Sequence, residues 1–299
     1  MPPVSVASLL VPTITLVLMG YLLRRYGGFS QSFWSDLERL IYYVLFPALL
    51  FGALASRPLQ LDQASPMIYT GVTFIVLGIV LGYGARWWFG LSAISFASAF
   101  QCAFRFNGYI GFAVLGALYA QDGIAAFGLL TGFMVPLANV ASVWALAHHG
   151  EGRMWREIIG NPLILSTFAG LVWSALGLPL PAMVDTTLEF LGYTALPMGL
   201  IAVGAGLRLV ISGRQMGAVA YLTAIKLLAL PAVAWWVGGM FGLRAEYLAA
   251  AVIMAALPTA SSAYILTVRM GGDGPLVASI VAVNMIAAIV TLPIWLAVL

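Results

Sequence analysis

The feature that most limits what this chain can fold into is the spacing of its charges. Eight stretches, residues 1–23, 40–56, 63–85, 123–147, 158–184, 190–207, 247–268 and 274–299, contain no Asp, Glu, Lys or Arg and consist mainly of apolar side chains. A helix needs about 20 such residues to cross the hydrocarbon of a bilayer, so each stretch is a candidate span. Two more stretches, 87–121 and 215–243, carry one internal cation each, Arg105 and Lys226. Two crossings and a turn need about 43 residues or more, so each of these is one span with a charge inside it. The total is ten spans, an all-α polytopic membrane protein. Composition agrees: 63% of residues are hydrophobic and 8% charged, where soluble domains carry about 25% charged residues. So little charge cannot solvate a globule of this size, which excludes soluble enzymes, nucleic-acid binders and disordered chains. The lipid bilayer is an obligatory partner, and no nucleic acid is expected.

Alternating the connections between two sides places Arg24, Arg25, Arg39, Arg86, Arg153, Arg156, Arg208, Arg214 and Arg269 together and leaves Arg57 and Arg244 opposite. The positive-inside rule makes the arginine-rich side cytoplasmic. With ten spans both termini then face the non-cytoplasmic side, and the plasma or inner membrane is the expected location. The first run is followed by Arg24-Arg25 and preceded by no charge, the reverse of a cleavable signal, so it is expected to be retained as a span. The single cysteine, Cys102, excludes an intrachain disulfide and a thiolate metal cluster.

The two halves superpose at an offset of about 150 residues, a spacing that marks an internal repeat. Pro12, Ile14 and Gly20 match Pro162, Ile164 and Gly170; Leu37-Glu38, Leu40 and Tyr42 match Leu188-Glu189, Leu191 and Tyr193; Asp122-Gly123 matches Asp273-Gly274. The expected repeats are 1–149 and 150–299. Each holds an odd number of spans, so the second enters the membrane from the opposite side. Inverted repeats with interrupted helices are a common plan of secondary transporters, which bind substrate near the midplane at the repeat interface. Mid-membrane interruptions are present here. Span 4 reads Phe104-Arg105-Phe106-Asn107-Gly108-Tyr109-Ile110-Gly111 at its middle, and span 9 reads Leu257-Pro258-Thr259-Ala260-Ser261-Ser262-Ala263-Tyr264. Pro258 has no amide hydrogen and crowds the carbonyl of Met254. Such a break is tolerated in a membrane only inside protein or beside a wet cavity.

Several segments carry a resemblance to a known family: Tyr21-Leu22-Leu23-Arg24-Arg25, Phe46-Pro47-Ala48-Leu49-Leu50-Phe51, Asn107-Gly108-Tyr109-Ile110-Gly111 and Asn161-Pro162 in the first half, with Ala195-Leu196-Pro197-Met198-Gly199-Leu200, Gly204, Pro258-Thr259-Ala260, Tyr264 and Thr291-Leu292-Pro293 in the second. Together they resemble the auxin efflux carrier family, itself distantly similar in architecture to bile-acid sodium symporters. The resemblance implies two inverted five-helix repeats with broken helices 4 and 9 crossing. It also implies a scaffold of spans 1, 2, 6 and 7, a transport core of spans 3–5 and 8–10, elevator-like movement and a homodimer. It implies small organic anions, mono- or dicarboxylates, as substrates. The family's long hydrophilic loop between spans 5 and 6 is absent, since His148 to Glu157 is short, and Gly108 follows Asn107 where many members have a threonine.

The residues at the breaks supply the chemistry of a substrate site. An arginine at the bilayer centre costs at least about 2.5–3.5 kcal/mol and marks function or a built partner. All the acids (Asp36, Glu38, Asp62, Asp122, Glu151, Glu157, Asp185, Glu189, Glu246 and Asp273) fall at span ends or in loops. Arg105 is therefore expected to offer its planar fork to a substrate carboxylate, against the alternative that it binds backbone carbonyls freed by the breaks. Lys226, also at depth, is either a second positive group for a dianion, a proton carrier or a structural pair. Asn107, Gly108, Tyr109, Pro258, Thr259, Ser261 and Ser262 are the candidate binding residues at the crossing, and Asn139 and Asn284, polar residues within the corresponding spans 5 and 10, are further candidates for facing the same cavity. The alternative for the small hydroxyls is helix packing. No catalytic residue, metal ligand or cofactor is expected, and the chain is read as no enzyme, because its depth holds cations without a catalytic carboxylate. The coupling ion stays open between a proton through Lys226 and sodium on neutral oxygens such as Asn107 or Ser262. A facilitative uniporter or a membrane sensor with the same pocket is the alternative to a secondary transporter.

Overall fold

The computed structural model describes residues 6–55, 61–147, 162–206, 215–260 and 262–299, and its elements are helices throughout. In chain order they are α1 (Val6–Tyr26), α2 (Gln31–Leu40), α3 (Phe46–Ala55), α4 (Leu61–Tyr83), α5 (Ala85–Trp88), α6 (Ala93–Phe100), α7 (Gly108–Ala147), α8 (Pro162–Ala175), α9 (Ala182–Ala205), α10 (Met216–Ala224), α11 (Leu230–Met240), α12 (Ala245–Ala256), α13 (Ser262–Arg269) and α14 (Gly274–Val298). Wide π turns at Ile41–Leu45 and Ile225–Ala229 link α2 to α3 and α10 to α11, and a tight 3-10 turn at Gln101–Ala103 ends α6. Among the described residues, five stretches, Gln63–Trp88, Ala93–Leu146, Ala182–Ala205, Met216–Met240 and Gly274–Val298, are long and apolar enough to cross a membrane. The protein is an all-α polytopic membrane protein. Arg57, Arg153, Arg156, Arg208 and Arg214 of the topological count, the boundary at 149/150 and Ser261 lie outside the described residues.

Charge-free length underestimates some helices. The second span begins at Gln31, well before the uncharged run at residue 40. Ser30 caps it by accepting from the Phe33 amide at 3.1 Å, and Trp34 is buried. Asp36, Glu38 and Arg39 lie within this first segment, where an amphipathic start accommodates charge. In the same way α9 starts at Ala182 and carries Asp185 and Glu189.

Glycines set the closest helix approaches. A Cβ on Gly20 of α1 would strike the backbone oxygen of Ile201 in α9, and one on Gly204 of α9 would strike that of Val17 in α1. Small residues at both faces let these backbones touch, the usual basis of helix association in lipid. Gly170 of α8 packs on Phe51 and Leu54 of α3, and Gly192 of α9 packs on Leu49. The helices of spans 1, 2, 6 and 7 thus lie against one another.

The α7 segment folds back on itself at Ala120, the one non-glycine residue with positive φ (48°) among those described. Contacts between Gly116 and Ile124, and between the rings of Phe112 and Phe127 at 4.7 Å, show its two arms antiparallel. Span 9 turns into α14 through Gly271, also at positive φ (71°), and Gly274 packs back on Val268 and Tyr264. Ala120 stands two residues before Asp122, and Gly271 two before Asp273. The innermost element is α12, in which every residue from Ala249 to Leu257, just past its end, is fully buried.

Candidate functional site

Both midpoint segments are unwound. The first break runs from Phe104 to Asn107, between the Gln101–Ala103 turn and the start of α7. The second starts at Leu257, where Pro258 ends α12, and closes at Ser262, where α13 begins. They meet backbone to backbone: the amide of Asn107 donates to the carbonyl of Pro258 at 2.8 Å. Thr259, fully buried, adds a second link by donating its hydroxyl to the carbonyl of Cys102 at 2.9 Å. The same hydroxyl oxygen accepts from the Asn284 amide at 2.7 Å, so α14 is tied to the crossing from behind. Asn284 is fully buried, and its Oδ1 is without a partner among the described residues.

Asn107 serves as the cap of α7: its Oδ1 accepts from the Tyr109 amide at 3.2 Å, the role for which asparagine is favoured at helix starts. Gly108 and Tyr109 are half-buried. A Cβ on Gly108 would meet nothing nearer than Phe112 at 4.0 Å, so the backbone there borders open space. The Tyr109 ring lies tilted against that of Phe46 in α3, centroids 4.7 Å apart, and packs on Gly199 of α9, which joins the crossing to the neighbouring helices.

Arg105 is half-buried and spans the two breaks. It donates to Gln101 Oε1 at 3.2 Å and to the Ser262 hydroxyl at 3.3 Å. Ser262 is exposed and opens α13. Through Ser262 the guanidinium stands at the amino end of α13, and α7 begins three residues after Arg105; the dipoles of both helix starts favour an anion. A planar fork of donors beside a positive helix end is chemistry that suits a carboxylate.

Gln101, fully buried, was not singled out from the sequence. Its amide nitrogen donates to the carbonyls of Ser98 (3.3 Å) and Ala263 (3.4 Å) and to the Thr267 hydroxyl (2.9 Å). Those contacts turn Oε1 toward Arg105. The spacing of four residues from Arg105 was the only signal for it. Asp273 is also more than a loop acid: it accepts from Ser95 at 2.7 Å, its amide donates to Ser98 at 2.8 Å, and it caps α14 through the Leu276 amide at 3.1 Å.

Lys226 is bonded at the carboxyl end of α12. It is fully buried in the Ile225–Ala229 π turn, and its ammonium donates to the carbonyls of Met254 at 3.3 Å and Ala255 at 2.5 Å. Pro258 is the reason the Met254 carbonyl is open, since Met254 would otherwise accept from the amide at position 258; the Ala255 carbonyl is open because α12 ends one residue later. Asn139 is half-buried in α7, outside the network just described. Ser261, the remaining candidate, lies outside the described residues. No group of three His, Cys, Asp or Glu side chains fit for a metal ion occurs among the described residues.

Comparison with known proteins gives the family. A family model described as "membrane transport protein" matches twice, over residues 5–149 and 148–296. An uncharacterized transporter of Methanothermobacter thermautotrophicus is 25% identical over 292 residues, 96% of each chain. A putative malonate transporter of Rhizobium meliloti is 26% identical over 281 residues, 89% of this chain and 87% of that one. A probable auxin efflux carrier component 1b of rice, Oryza sativa subsp. japonica, is 29% identical over 113 residues, 35% of this chain and 20% of its own length. The likeness to auxin efflux carriers is therefore real, at low identity and over part of the chain. The two matches of the family model together cover nearly the whole chain: the chain belongs to the membrane transport protein family.

Proposed function

We propose that the protein is a secondary transporter of small organic anions, mono- or dicarboxylates, that binds its substrate at the crossing of two broken helices in two inverted repeats. The observation that carries this reading is the position of Arg105, bridging to Ser262 at the amino end of α13, with α7 beginning three residues after it. Asn107, Gly108 and Tyr109 shape the mouth; Pro258 and Thr259 hold the crossing, and Asn284 braces it from behind. Ser261 and Asn139 are second-rank candidates. A relative named as a putative malonate transporter supports the choice of carboxylates.

The inverted-repeat part of the proposal is supported by the double family match and by the shared positive-φ turns before Asp122 and Asp273. The packing of spans 1, 2, 6 and 7 supports their assignment as a scaffold, beside which the other six spans move in an elevator-like step. A homodimer in the plasma or inner membrane, with both termini on the non-cytoplasmic side, completes the picture.

Counterflow in proteoliposomes tests the function. Vesicles loaded with unlabelled malonate should accumulate labelled malonate transiently, and Arg105→Ala should abolish the overshoot while leaving the reconstituted amount unchanged. Arg105→Lys keeps the charge without the fork and should weaken apparent affinity about tenfold, the scale of one charge-assisted hydrogen bond. Full counterflow by Arg105→Ala would overturn the site.

A further inference from the structure

The second break poses a charge problem that the anion site does not address. The carboxyl end of a helix carries about half a negative charge, concentrated on carbonyls without amide partners. That end of α12 is buried on all sides, out of reach of water. In transporters with broken helices, such carbonyl ends are where a coupling cation is coordinated. Here Lys226 already fills the place, with its ammonium on Met254 and Ala255. We propose that the Lys226 ammonium is a tethered stand-in for a coupling cation at the end of α12, so that this carrier works without bound sodium.

Three features of the surroundings support it. The lysine is aimed by a π turn, a local widening of the helix that usually serves a site and is retained despite its poorer geometry. Pro231 follows the turn and leaves the Leu227 carbonyl without its helical partner; the Trp295 indole fills it at 2.9 Å. The distorted segment is therefore anchored to α14 rather than loose. Third, four oxygens at the crossing already accept hydrogen bonds. Pro258 accepts from Asn107, Cys102 from Thr259, Ala260 from the Ala263 amide at 3.0 Å, and the Thr259 hydroxyl from Asn284. Beside them Asn284 Oδ1 is a buried side-chain oxygen without a partner among the described residues, and a sodium ion there would have to share oxygens that already carry a hydrogen bond.

The test uses purified full-length protein and needs no substrate, so its outcome is separable from that of the anion-site reading. Thermal unfolding is compared in sodium chloride and in N-methyl-D-glucamine chloride at equal ionic strength. The wild type should melt at the same temperature in both. Lys226→Ala, which opens a space next to the bare carbonyls, should melt several degrees lower in N-methyl-D-glucamine chloride and recover part of the loss in sodium chloride. Lys226→Met, which fills the space without charge, should be destabilised in both and recover in neither. A sodium-specific rise in the wild type, or a Lys226→Ala variant indifferent to sodium, overturns the proposal. If neither variant yields folded protein, the wild-type comparison alone decides it.

Discussion

At the residue scale the question is what holds a guanidinium half-buried at a helix break in one orientation. Arg105 extends from the first break to the second, and Gln101 steadies it with an oxygen whose direction is set by three contacts of the same amide. A neutral acceptor there orients the fork without cancelling its charge, whereas a carboxylate would engage it as an internal ion pair. Gln101→Leu should therefore weaken malonate binding about tenfold, the value of one lost orienting hydrogen bond. Gln101→Glu should weaken it further, because the substrate must compete with a resident anion. Binding curves of the two variants against wild type give the order; a Glu variant that binds as well as wild type would remove Arg105 from the anion site. Depth of a charge was legible in the sequence, since Arg105 and Lys226 each interrupt an apolar run. Its partners were not. The carbonyls that take up Lys226 lie 28 and 29 positions along the chain, and nothing in local spacing distinguishes a lysine aimed at them from one aimed at a ligand.

At the element scale, proline and glycine control where helices stop and how closely they approach. Pro258 was legible as a break because its missing amide acts within its own helix. The first break, which has no proline, was legible only from its mid-span Arg-Phe-Asn-Gly run. Where α2 begins was less so, because capping by Ser30 and burial of Trp34 decide it, and charge spacing reports neither. The turn at Ala120 was placed by Asp122-Gly123, but its positive φ on an alanine depends on the packing of the two arms it joins. Pro258→Ala tests the break itself. It restores an amide that can donate to the Met254 carbonyl, where it competes with Lys226, and it lifts a penalty of about 3 kcal/mol against a continuous helix. We expect α12 to extend toward α13, the Asn107–Pro258 contact to shift, and the initial rate of counterflow to fall by at least about tenfold, or about 1.4 kcal/mol of barrier, with unchanged membrane abundance. A variant with wild-type rate would mean that the tertiary contacts alone keep the crossing open.

At the scale of the whole molecule, the arrangement of the two halves is the claim with the widest consequences, since an inverted repeat is what lets one site face either side in turn. Its support is distributed: arginines gathered on one side in the sequence, proline and glycine matches at an offset of about 150 residues, a family model that matches each half, and positive-φ turns at Ala120 and Gly271. None of these reports direct access to a membrane face, so labelling must. The chain is suited to it because its one cysteine, Cys102, is fully buried and should stay silent toward a charged maleimide. Single cysteines placed at Gly152, between the halves, and at Leu299 should lie on opposite sides if, as proposed, the second half makes five crossings, an odd number. In intact cells a membrane-impermeant maleimide should label position 299 at once and position 152 only after permeabilisation. Labelling of both positions from outside, or of neither, would give the second half an even number of crossings. The two repeats would then be parallel, and the symmetry that relates the breaks at Asn107 and Pro258 would no longer explain alternating access.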